Sequence, residues 1–148
     1  MTGVQTCALP ILDDGLCFGD VDGDGRLDLV GYTGALDGQR QVKVYRNELP
    51  AQNWLRVRPV GGAGNRGAAG AKIRVTEPGN PGKLLWFEQV MILDSQSAHS
   101  YYALAQTERH FGLGARGAVD VSVEFYPSGK RVARKSVAAN AVVTIAEP

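Results

Sequence analysis

The chain has 148 residues, 44% of them hydrophobic, enough for one compact domain with part of another. Its 16 basic and 15 acidic side chains leave a net charge of +1, which excludes a nucleic-acid binder of the strongly basic kind. No apolar run approaches the roughly 20 residues of a membrane-spanning helix, so no membrane span is expected.

Met1–Ile11 (MTGVQTCALPI) matches the translation of a sequencing-adapter oligonucleotide. It lacks the charged n-region and long apolar stretch of an export signal. Residues 1–11 are therefore expected to be an artefact ahead of a truncated reading frame, with the natural start and any export signal missing. Cys7 falls within it, leaving Cys17 alone and no internal disulfide. Between Leu16 and Phe18, Cys17 is expected to be a buried structural thiol.

Residues 12–50 hold eight acidic and four basic side chains, whereas residues 51–148 hold seven and twelve. A swing from −4 to +5 suggests two units, 12–50 and 51–148, meeting near Pro50. Helical periodicity is almost absent. Period-2 alternation between Gly, Pro and Asn clusters predicts an all-β fold. In the acidic unit the predicted strands are Leu16–Gly19, Leu27–Tyr32 and Gln41–Arg46, about one blade of a propeller and too little apolar surface to stand alone.

Between the first two strands runs Asp20-Val21-Asp22-Gly23-Asp24-Gly25-Arg26-Leu27-Asp28. Carboxylates fall at positions 1, 3, 5 and 9 of a tight turn, a spacing that can aim alternate oxygens at one hard cation such as Ca2+. Gly23 and Gly25 permit the sharp folding required, and the Arg26 carbonyl is expected to add a ligand. Like charges about 4 Å apart repel by roughly 4 kcal/mol at an effective dielectric near 20, which favours an ion. The alternative is a solvated acidic hairpin. An EF-hand is excluded, because its twelfth position would be Gly31 and no helix flanks the turn.

Beyond Pro50 the predicted strands are residues 55–59, 72–76, Lys83–Leu93, Ser100–Gln106, residues 119–125, Arg131–Val137 and Ala141–Ala146. Seven short strands with regular turns fit a β-sandwich or a distorted barrel. Gly62-Ala63-Gly64-Asn65-Arg66-Gly67 matches G-x-G-x-x-G, but the alternating residues after it deny the helix a dinucleotide fold needs. A glycine loop is expected there, with Asn65 and Arg66 a modest candidate for a polar contact surface. Ser128-Gly129-Lys130 reads as a hairpin turn. His99 and His110 lack partners at metal-ligand spacing, and His110 is expected to pack in a strand. Trp54, Trp86 and Tyr101-Tyr102 are expected in the core rather than on a sugar-binding platform. No nucleophile elbow marks a catalytic triad.

Residues 13–49, with the acidic turn and Val44-Tyr45-Arg46-Asn47-Glu48, resemble an FG-GAP (VCBS) repeat of the integrin-type β-propeller. That resemblance implies Asp20, Asp22, Asp24 and Asp28 as side-chain calcium ligands and further upstream propeller repeats. From Asn53 to Pro148 the chain resembles the ASPIC/UnbV domain found after such repeats in cartilage acidic protein and enediyne-biosynthesis proteins. The resemblance rests on Asn53-Trp54-Leu55-Arg56-Val57, Asn65-Arg66, Gly70-Ala71-Lys72-Ile73, His110-Phe111-Gly112-Leu113-Gly114 and Pro127-Ser128-Gly129-Lys130. Leu93–Tyr101 departs from the Gly/Ser-rich stretch usual there, and Tyr126 replaces a common Trp. The function these features imply is a calcium-binding, non-catalytic interaction or adhesion module. It would be secreted, extracellular or periplasmic, and would face another protein or a glycan. The alternatives are an accessory or enzymatic component of a biosynthetic pathway and a structural cap on a propeller.

Overall fold

The computed structural model describes residues 13–34, 40–90 and 108–148, all in strands, turns and loops, with no helix among them. The fold is all-β. Met1–Ile11, His99, Tyr101-Tyr102 and the strand expected over Ser100–Gln106 lie outside the described residues.

The chain divides into two compact units. In the first, β1 (Asp13–Gly19), β2 (Asp28–Gly34) and β3 (Arg40–Tyr45) form an antiparallel sheet in the order β1-β2-β3. The pairing brings Gly19 opposite Asp28 and Leu29 opposite Tyr45, so the acidic turn bridges the ends of two neighbouring strands. Among the described residues of this sheet few are buried. Phe18 is 68% exposed and Val42 66%, and Val44 and Tyr45 are exposed beside them.

The second unit has seven described strands in two sheets. β4 (Asn53–Val60), β7 (Arg109–Gly114) and β10 (Ala141–Ala146) form one, in the order β10-β4-β7. β5 (Lys72–Glu77), β6 (Asn80–Gln89), β8 (Ala118–Glu124) and β9 (Arg131–Ala138) form the other, in the order β6-β5-β8-β9. Strand side chains alternate between faces, so every second residue turns inward. Leu55 and Val57 of β4, Phe111 and Leu113 of β7 and Ile145 of β10 share one core with Ile73, Val75, Val119, Val121 and Val123 of the facing sheet. Phe125 and Val90 complete it. The result is a β-sandwich. Two sheets sharing a continuous apolar layer explain why these short strands are stable together.

Two junctions fix the ends of the strands. The glycine-rich loop is closed by Asn65, whose Oδ1 accepts from Ala69 N–H at 3.0 Å while its Nδ2 donates to the Ala69 and Tyr126 carbonyls at 2.9 and 3.0 Å. Asn65 is thus committed inside the loop. At the other end of the sandwich, Trp54 N–H donates to Asn140 Oδ1 at 3.1 Å and Asn140 N–H returns a bond to the Trp54 carbonyl at 2.6 Å. Asn140 Nδ2 also donates to Asn53 Oδ1 at 2.9 Å, which ties the start of β4 to the start of β10. Asn140 takes φ of 58°, a left-handed conformation that Asn tolerates better than most residues.

Candidate metal centre

Residues 20–27 connect β1 to β2. Gly23 and Gly25 take φ of 79° and 87°, conformations closed to most side chains. Within the turn, Asp20, Asp22 and Asp28 each bring a carboxylate oxygen within 4.8 Å of the others. Oxygens bound to calcium at 2.3–2.6 Å stand at most about 5 Å apart across the ion, so the separation suits one shared cation. The donor set is all hard oxygen, which fits calcium and not a softer metal.

Asp28 is the fixed member. Its side chain is 2% exposed. Oδ2 accepts from Val21 N–H at 3.0 Å and Oδ1 from Asn47 N–H at 2.8 Å. Asn47 Nδ2 in turn donates to the Leu27 carbonyl at 3.2 Å. The carboxylate therefore closes the turn on itself and ties it to the end of β3. Asp20 and Asp22 extend toward it from the other side of the turn.

Asp24 is not in that group. Its Oδ1 accepts from Arg26 N–H at 2.8 Å and its Oδ2 pairs with the Arg26 guanidinium. Asp22 likewise pairs with the Arg46 guanidinium, whose Nε lies 2.7 Å from Oδ2. Two arginines thus balance part of the turn's negative charge. Among the residues expected to act here, Asp20, Asp22 and Asp28 come together, while the Asp24 and Arg26 side chains pair with each other. Arg46 and Asn47 take part although nothing in the spacing of the acidic turn marks them. Only the run Val44-Tyr45-Arg46-Asn47-Glu48, noticed as a repeat ending, pointed toward them.

Elsewhere the carboxylates hold structure together. Asp120 accepts backbone N–H groups of Ser136 and Gly79 at 2.7 and 3.0 Å, which lower its pKa. The Glu124 carboxyl is held below its ordinary value first by the hydrogen bond from Arg131, with Lys72 and Arg74 adding attraction. A hydrogen bond from Ser128 and another from Gly62 N–H do the same for Glu147. Glu77 is lowered chiefly by its hydrogen bond with Lys83.

His110 lies on β7 as a strand histidine, half-buried, with Nε2 bonded to the Gly25 carbonyl at 3.0 Å. Trp54 is half-buried and stacks on it, whereas Trp86 is exposed on β6 and donates to the Gly112 carbonyl at 3.0 Å. Trp54 and Trp86 thus lie outside the buried core in which sequence alone placed them.

Comparison with curated proteins returned no match. The family model described as ASPIC and UnbV matches residues 61–148, more than half of the chain. That span contains β5 to β10, the glycine loop's Asn65 and the Pro127-Ser128-Gly129 turn, and with them most of the sandwich core. The chain belongs to the ASPIC and UnbV family.

Proposed function

We propose that this chain is a calcium-stabilised, non-catalytic interaction module of an exported protein. Residues 12–50 would be one FG-GAP/VCBS repeat, part of a propeller whose other repeats lie upstream, and residues 51–148 the ASPIC/UnbV domain. The observation that carries this reading is the gathering of Asp20, Asp22 and Asp28 around one point in a turn anchored by the buried Asp28. The exposed Phe18, Val42, Val44 and Tyr45 support a blade that packs against neighbouring blades. A general base works best with a pKa near neutrality. Among the described residues, the carboxyls of Glu77, Asp120, Glu124 and Glu147 are lowered, which suits structural anchors better than proton transfer. A partner of this module would be an extracellular protein or a glycan, met by loops that the ion holds rigid.

A second reading is favoured by the Arg46–Asp22 and Arg26–Asp24 pairs: the guanidinium groups neutralise the turn and no ion is needed. Calorimetric titration separates the two. The metal-stripped wild type is expected to bind one calcium, and a double variant, Asp22→Ala with Asp24→Ala, to bind none. Magnesium should bind more weakly, since it demands a tighter octahedron and sheds its waters reluctantly. Equal uptake by both proteins, or none by either, would sink the calcium reading, and the second outcome is what the arginine-neutralised turn requires.

A further inference from the structure

Gly23–Arg26, the tip of the acidic turn, groups with the sandwich unit rather than with the strands on either side of it. The reason lies at Gly25, which is buried. Its carbonyl meets His110 Nε2 at 3.0 Å. A carbonyl only accepts, so Nε2 carries the proton and donates. A Cβ added at Gly25 would come far inside contact distance of Trp54 Nε1 and Cδ1. Only glycine satisfies both this lack of space and a φ of 87°.

The groups that hold Gly25 are themselves held. Trp54 and Arg56 are two residues apart on β4, and the register sets His110 of β7 opposite Arg56. All three therefore share the sheet face opposite the core-facing Leu55, Val57 and Phe111. Trp54 and His110 stack with centroids 5.9 Å apart and planes at 18°. The Arg56 guanidinium carbon lies 4.9 Å from the Trp54 ring centroid, within cation–π range. The Trp54 backbone is pinned by Asn140.

We propose that Trp54, Arg56 and His110 form a receptor for a glycine turn, that Gly25 is its occupant, and that this clasp sets the ion affinity of the acidic turn. The coupling rests on the calcium reading and runs along the chain, because Gly23–Arg26 lies between Asp22 and Asp28. A tip already held in place loses less conformational freedom when the carboxylates close on an ion, so affinity rises. By linkage, the ion then strengthens the clasp by the same factor.

The test uses the full chain as wild type, Trp54→Ala and His110→Ala, with Arg58→Ala as a control on the same strand. Calcium affinity is read by calorimetry, and amide exchange across residues 23–27 is read in the metal-free protein. The clasp predicts a calcium Kd raised about fivefold or more in Trp54→Ala and His110→Ala. It also predicts faster exchange at the tip with β8 exchange as in wild type, and no change in Arg58→Ala. Should Trp54→Ala fail to fold, Gly25→Ala replaces it with the same expectations. Unchanged Kd and unchanged tip exchange in both clasp variants would overturn the proposal. A wild type that takes up no calcium defeats the calcium reading and the coupling that rests on it, but not the clasp itself. The exchange measurement then decides the clasp, faster exchange supporting it and unchanged exchange overturning it.

Discussion

Replacing Asp28 by Ala is expected to open the acidic turn and to abolish its calcium uptake. The Asp28 carboxylate is 2% exposed and accepts backbone N–H groups from Val21 and Asn47. Hydrogen bonds to a charged acceptor contribute roughly 1.5–3 kcal/mol each, and both donors would lose their partner at once. Relief of repulsion from Asp20 and Asp22 offsets part of that loss. The net cost should be about 3 kcal/mol, which is about a hundredfold in an opening equilibrium. Three strands are too few for a separate unfolding transition, so the change is read locally, as faster amide exchange at Val21 and Asn47. Asp28→Asn retains one carbonyl acceptor and should lose less. Exchange unchanged in Asp28→Ala would show that the carboxylate does not close the turn.

Phe125→Ala is expected to have the largest effect on the sandwich. Phe125 is among the largest fully buried side chains and directly follows β8, where its N–H donates to the Lys130 carbonyl at 2.8 Å and its carbonyl accepts from Gly129 N–H at 2.8 Å. Truncating a buried Phe costs about 3–5 kcal/mol in lost burial and residual cavity. For a domain of about 100 residues that lowers the thermal midpoint by about 15 °C or more. Phe87 on β6 is half exposed, with the Arg74 guanidinium carbon 5.3 Å from its ring centroid, so Phe87→Ala should cost about 1 kcal/mol or less. Thermal denaturation of the two variants side by side checks the ranking. A Phe125→Ala shift no larger than that of Phe87→Ala would remove Phe125 from the core.

Much of the strand pattern is legible in the sequence because one face of each sheet is buried. Val119, Val121 and Val123 alternate with Asp120, Ser122 and Glu124, and the inward set is the buried one. Residues 72–76 and Ala141–Ala146 coincide with strands for the same reason, whereas Arg131–Val137 coincides with β9, which is mostly exposed. β6 is harder. Lys83–Leu93 looks apolar enough for a buried strand, but the strand runs Asn80–Gln89 at a sheet edge, and Leu84, Trp86 and Phe87 are exposed. Apolar composition alone does not report whether a strand is central or peripheral. Over β7 the sequence offers a strand expectation for His110 and a family block but no alternating run, because Gly112 and Gly114 interrupt the alternation. The parallel pairing of β10 with β4 joins strands nearly the whole unit apart, and no local signal encodes such a contact.

The acidic turn divides in the same way. Carboxylate spacing and the two glycines are local, and they place Asp20, Asp22 and Asp28 together. Charge pairing is not local: Arg46 reaches Asp22 from 24 residues away, and the short reach of Asp24 to Arg26 competes with the centre that spacing alone suggests. Gly25 shows the limit most clearly. Its positive φ follows from the turn, whereas its lack of room for a Cβ follows from Trp54, which arrives only when the sandwich has formed.

A crystal structure of the full chain grown with calcium tests the centre most directly. One ion is expected in the turn, with oxygens of Asp20, Asp22 and Asp28 at about 2.3–2.6 Å and a total of six to eight oxygen ligands. The Arg46 guanidinium is expected to withdraw from Asp22 as the ion takes its place. Density showing no ion at saturating calcium, with Asp22 still paired to Arg46, would contradict the assignment.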